Sequence, residues 1–209
     1  MFEYQIIGLF FAINLTIYLA VSLPLDLVTY HRNSKSGRER SDQIDIKPMM
    51  IITFLISVYM WLIFLFVPID ALFAFNIIYI ANYDFDPWTL IIQIFGFIIV
   101  FIATLIASWG RISRGRRAFS WGIPKNLEKK GMYKYIRHPL YASYCYYFLG
   151  FVLILQNLLI LPLLIGIYGY YNLSKYEEAI LIDHFDEEYI DYQNRVGRFF
   201  PRLRRRNTT

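Results

Sequence analysis

The chain has 209 residues, 57% hydrophobic and 19% aromatic, with a formal net charge of +5 and a mean hydropathy of +0.39. Soluble domains are about 45–50% apolar, so this composition excludes an ordinary soluble globule and indicates an integral membrane protein. The single cysteine, Cys145, excludes an internal disulfide framework and reads as a small packing residue in an apolar run.

Five apolar segments follow one another along the chain. The first, Tyr4–Thr29, is preceded by neither a basic stretch nor a small-residue cleavage site, so it reads as a permanent helix and not a signal peptide. A polar loop, Ser34–Asp45, comes next. The second segment is Met49–Val67, with an apolar continuation to about Ala81, and the third is Trp88–Trp109. Leu140–Leu155 and Leu158–Tyr171 are separated only by Gln156-Asn157. Each falls short of the ~20 residues that cross a bilayer, so together they predict a tight helical hairpin. Leu173–Gln193 places Ile180, Leu181, His184, Phe185, Glu188, Tyr189 and Tyr192 at i, i+3/i+4 steps. This predicts an amphipathic helix against the membrane or capping the bundle. The expected fold is an all-α membrane protein of about five spanning helices plus that C-terminal cytosolic helix.

The cations are strictly sorted. All 21 Lys and Arg fall in three blocks, Arg32–Lys47, Arg111–Arg137 and Lys175 onward, while the alternate loops hold only Glu3, Asp70, Asp84 and Asp86. The positive-inside rule then predicts N-terminus outside, five crossings and C-terminus in the cytosol, in a prokaryotic cell membrane or an endoplasmic reticulum. No Asp, Glu, Lys or Arg lies within Ile91–Gly110 or Leu140–Ser174, which argues against a pump or ion-coupled transporter.

The chemistry-bearing residues gather on the basic side. Pro139 suits the first turn of a helix, which puts Arg137 and His138 at a helix N-terminus able to hold an anion such as a carboxylate. Glu177 and Glu178 are poorly placed beside anionic headgroups unless one meets a fixed cation. Neighbours on a helix point about 100° apart, so one is expected to face a site and the other to pair with an arginine. Phe199-Phe200-Pro201 can dock the chain on the membrane and turn Arg195 or Arg198 back toward that site. Four arginines within Arg202–Arg206 predict a contact with anionic lipid. No metal centre and no nucleic-acid partner is expected.

The pattern Gly131-x-Tyr133-x-x-x-Arg137-His138-Pro139-x-Tyr141, then Glu177-Glu178-x-x-Leu181, then Glu188-Tyr189-x-x-Tyr192-x-x-Arg195-Val196, resembles the isoprenylcysteine carboxyl methyltransferase family. That family sits in a wider group with membrane phospholipid N-methyltransferases. The resemblance covers about a third of the chain. It implies S-adenosylmethionine as methyl donor, with Tyr133, Arg137, His138, Pro139 and Tyr141 lining its pocket and Glu177 or Glu178 meeting its amino group. It also implies a catalytic role for Tyr141, and for Arg195 in orienting an acceptor carboxylate. Two positions depart from the family pattern. Asp186 stands where glycine is common, and Lys175-Tyr176 replace a segment that usually contains arginine.

On this basis the chain divides into membrane helices and loops (1–130), a methyltransferase core (131–201) and a basic tail (202–209). The leading expectation is O-methylation of a prenylated cysteine, or a similar lipid-tailed carboxylate entering from the bilayer. A carboxylate is already anionic at neutral pH and needs no general base, so alignment and water exclusion are the main requirements. The alternatives are methylation of a phospholipid amine or a small thiol, an NADPH-dependent reductase of the sterol reductase type, and a non-enzymatic membrane adaptor. The Glu-Glu pair disfavours the reductase, because nucleotide phosphates call for cations there.

Overall fold

Hydrocarbon offers backbone amides no partner, so apolar runs of this length close their hydrogen bonds within helices. The computed structural model describes residues 2–33, 48–75, 77, 81–83, 85–114 and 126–202, and over these it is helical: α1 (Tyr4–Asn33), α2 (Pro48–Phe73), α3 (Thr89–Arg114), α4 (Pro139–Leu155), α5 (Leu163–Phe185) and α6 (Glu187–Arg195). Four stretches are long and apolar enough to cross a membrane: Tyr4–Val28, Pro48–Phe73, Thr89–Arg114 and Leu158–Phe185. The fourth expected segment, α4, has 17 residues, or about 25 Å of helix at 1.5 Å per residue. The expected loop Ser34–Asp45 and most of the basic tail lie outside the described residues.

Small residues let α3 and α4 approach closely, as membrane packing favours. A side chain at Gly96 would meet the Ile154 backbone nitrogen at 3.0 Å, and one at Gly150 would meet the Gly96 carbonyl at 3.2 Å. Phe11, Phe64, Phe148 and Phe151 fill the centre of the bundle and are fully buried.

The turn expected at Gln156-Asn157 is present. Gln156 takes a left-handed conformation (φ 45°) and the Asn157 side chain accepts from the Leu159 N–H at 2.8 Å, closing a short 3₁₀ turn over Leu158–Ile160. The corner reaches the end of the bundle where α3 begins. Asn157 Nδ2 donates to Asn82 Oδ1 (2.9 Å), and Tyr83 N–H donates to the Gln156 carbonyl (2.9 Å). α4 therefore runs the length of the bundle despite its brevity.

The amphipathic helix expected over Leu173–Gln193 is not one element. Its first half continues α5, and the helix breaks at Asp186, whose φ of 46° and ψ of −126° no helix accommodates. The chain then re-enters a helix, α6, that buries Tyr189 and Tyr192. This break turns α6 back across the end of the bundle that carries α4's first residues.

Candidate functional site

Pro139 starts α4, where its missing N–H costs nothing, and His138 precedes it as the cap residue. Upstream, Gly131 adopts φ 57°, a left-handed conformation suited to glycine, and begins a 3₁₀ turn, Gly131–Lys134. Ser113 at the end of α3 accepts the Met132 N–H (2.9 Å) and fixes this turn against the bundle.

Downstream of α6 the chain becomes extended and runs beside residues 136–138. Arg137 N–H donates to the Gly197 carbonyl (2.9 Å) and His138 N–H to the Arg198 carbonyl (3.1 Å). Tyr146 on α4 donates to the Phe199 carbonyl (2.7 Å). Residues 196–202 thus form a strap across the start of α4. The strap's carbonyls take the N–H groups of Arg137 and His138 that were expected to face an anion.

At the centre lies Glu178, whose side chain is only 4% exposed. Arg137 donates to Oε1 from Nε (3.0 Å) and Nη2 (2.8 Å). Arg198 donates from Nε to Oε1 (3.1 Å) and from Nη2 to Oε2 (2.5 Å). His138 Nε2 lies 3.0 Å from Oε1, and Gln193 Nε2 donates to Oε2 (3.0 Å). A carboxylate this buried is tolerated because it is paired and its lone pairs are filled.

Glu177 is differently placed. Its side chain is 42% exposed, and its Oε2 lies 3.5 Å from His138 Nδ1. Tyr141 supplies a further hydrogen bond, and the Tyr141 ring stacks parallel to the His138 ring with centroids 5.5 Å apart. The two acids therefore divide as adjacent helical positions require: Glu178 is locked among arginines and Glu177 remains accessible.

Burial alone would lower the His138 pKa, but hydrogen bonds and charge from Glu177 and Glu178 outweigh it and raise the value above the ordinary one. Burial pushes the Tyr133 hydroxyl up to about 12, so at neutral pH it serves as a hydrogen-bond donor and not as a base. The Tyr133 carbonyl accepts from Tyr192 Oη at 2.5 Å, tying the 3₁₀ turn to α6. The Glu178 carboxylate raises the Arg198 pKa further above its ordinary value.

The fold thus brings Arg137, His138, Tyr141, Glu177 and Glu178 together, with Pro139 as the helix start and Tyr133 on the adjoining turn. Arg195 is not brought in. Its side chain is 70% exposed and its nearest acid is Asp191, one turn back on α6. Arg198 occupies the place expected for a returning arginine, joined by Gln193, which composition and spacing do not single out. An open cavity of about 610 Å³ is lined by Arg137, Glu178, Gln193, Arg198, Phe200 and Arg202; Glu177, His138 and Tyr141 do not line it.

Residues 91–188, which carry α3, α4, α5 and the Arg-His-Pro and Glu-Glu motifs, match the phospholipid methyltransferase family. Over 77 residues the chain is 36% identical to the protein-S-isoprenylcysteine O-methyltransferase of Saccharomyces cerevisiae, covering 36% of this chain and 32% of that protein. The protein of the same name from Tribolium castaneum is 34% identical over 77 residues, covering 36% of this chain and 27% of that protein. The match spans under a third of each relative's length. The family region begins at residue 91, forty residues before the Gly131 motif, and takes in α3.

Proposed function

We propose that the chain is an S-adenosylmethionine-dependent membrane methyltransferase acting on the carboxylate of a lipid-tailed acceptor, a prenylated cysteine being the leading candidate. The observation that carries this reading is the accessible Glu177 carboxylate, held between His138 and Tyr141 while Glu178 is consumed by arginines. A half-exposed anion beside the Tyr141 ring suits a ligand with an ammonium and a sulfonium, through charge and cation–π attraction. When bound, the cofactor supplies a methyl group already activated on sulfur. Glu177 and Tyr141 would hold its amino end, and Tyr133 and His138 would wall the pocket.

A carboxylate acceptor arrives charged, so no residue need remove a proton from it. The work left to the protein is alignment and exclusion of water, which a pocket at the inner ends of α4 and α5 can perform. We place this pocket on the cytosolic side, with five crossings and the N-terminus outside, because the site lies among the basic segments. The phospholipid methyltransferase match keeps a lipid amine as the second acceptor class. An amine must lose a proton before or during transfer, a demand that the carboxylate does not make.

The test is transfer of labelled methyl from S-adenosylmethionine by purified protein in lipid, with farnesylated N-acetylcysteine and phosphatidylethanolamine offered side by side. Base-labile label on the prenylcysteine is the expected result. Base-stable label on the lipid alone would replace the carboxylate with an amine, and absence of cofactor binding would end the methyltransferase reading.

A further inference from the structure

Of the six arginines from Arg111 to Arg202 whose side chains are described, one makes no hydrogen bond or ion pair among the described residues. Arg111 is held by Asp26 (2.5 and 2.6 Å), Arg137 and Arg198 by Glu178, and Arg195 faces Asp191. Arg202 caps the Gln193 and Asn194 carbonyls. Arg114, the last residue of α3, is half-buried and carries no such partner.

Its position is fixed by the turn that precedes it. Gly110 sits against Pro139, where an added side chain would meet Pro139 Cβ at 3.2 Å, and Ser113 receives the Met132 N–H. The final turn of α3 therefore abuts both the Gly131–Lys134 turn and the start of α4. From there the positive charge of Arg114 acts on Tyr133, Tyr141 and Glu177.

An acceptor carboxylate entering beside the accessible Glu177 meets a like charge and needs a cation to offset it. Arg137 and Arg198 are saturated by Glu178, and Arg195 points away. We infer that Arg114 binds the acceptor's carboxylate and orients it against the donor methyl. This inference rests on the carboxyl-methyltransferase reading above. A planar carboxylate matches the donor fork of this guanidinium, which no hydrogen bond or ion pair among the described residues occupies.

The test compares the intact protein with its Arg114→Gln and Arg114→Lys variants in lipid, using farnesylated N-acetylcysteine as acceptor and S-adenosylmethionine as donor. Loss of one charged hydrogen-bonding partner should raise the acceptor KM by about tenfold or more in Arg114→Gln. Donor affinity by calorimetry should stay within about twofold. Arg114→Lys should recover part of the acceptor KM, since it keeps the charge and loses the fork. An unchanged acceptor KM in Arg114→Gln overturns the assignment. A matching loss of donor affinity overturns it too, by moving the arginine to the cofactor. If the unsubstituted protein labels phosphatidylethanolamine and not the prenylcysteine, the carboxylate reading itself has failed, and this assignment falls with it.

Discussion

Arg198 and Glu178 meet as a two-bond fork, Nε to Oε1 at 3.1 Å and Nη2 to Oε2 at 2.5 Å. The arginine comes from the strap after α6 and the carboxylate from α5, so this pair fastens the strap to the bundle. Its two members are not equivalent. Arg198 is 25% exposed on its side chain and Glu178 only 4%. Removing Glu178 leaves Arg137, Arg198 and His138 crowded without an anion, whereas removing Arg198 leaves Glu178 with Arg137, His138 and Gln193. Glu178→Gln should therefore cost about 3 kcal/mol, and Arg198→Gln clearly less. Thermal midpoints of the two variants in detergent check the order. Equal midpoints would mean that the cluster does not depend on its buried carboxylate.

The two acids should separate cleanly by experiment. Glu177→Gln should weaken S-adenosylmethionine binding by about tenfold while lowering the thermal midpoint less than Glu178→Gln does, because its side chain is accessible. Glu178→Gln should move the midpoint first. Calorimetry on the folded fraction of each variant distinguishes the two effects, and an unaltered affinity in Glu177→Gln would remove that residue from the cofactor site.

His138 gives a pH signature. Its folded pKa is raised by Glu177 and Glu178, with Arg137 and Arg198 lying across Glu178 from it. A raised folded pKa means that the folded state holds the proton more tightly than the unfolded chain. The resulting stabilisation is fully present below the unfolded value of about 6.5 and is lost as pH rises through the folded value. The thermal midpoint should fall over that upper window, and His138→Gln should flatten the dependence there. A wild-type midpoint independent of pH across this window would show that His138 is not protonated between its two acids.

Asp186 sits at φ 46° and ψ −126°, a combination that glycine tolerates and other residues adopt under strain. Asp186→Gly should stabilise the protein by about 1 kcal/mol, the relief being partly offset by glycine's freedom in the unfolded chain. Asp186→Ala retains the Cβ and should give no such gain. Comparison of the two midpoints tests the conformation directly.

Much of this architecture was legible in the residues themselves. Gln156-Asn157 marked a corner because two polar residues interrupt an apolar run. The adjacent acids announced that one would find an arginine and the other remain open. The choice between Arg195 and Arg198 was not legible, because it depends on where α6 ends. The chain leaves the helix at Val196, and pairing of Gly197 and Arg198 with Arg137 and His138 sends the later arginine inward. Those bonds join residues about 60 positions apart, beyond the reach of local periodicity. The break at Asp186 was hidden for the opposite reason. The apolar spacing continues through it, and nothing in an aspartate's own propensity demands a left-handed conformation. Arg114 is one of nine cations in the block Arg111–Arg137 and stands in no motif, so only the packing of Gly110 and Ser113 places it beside the Gly131 turn.

The strap also sets an order of events during biosynthesis. Chains emerge from the ribosome N-terminus first, so Glu178 leaves before Arg198 does. Until the strap is synthesised, the carboxylate has only Arg137, His138 and Gln193 to meet it, and the mouth of α4 is uncovered. Completion of the charged cluster therefore waits on the strap, the last segment of the described residues to be made.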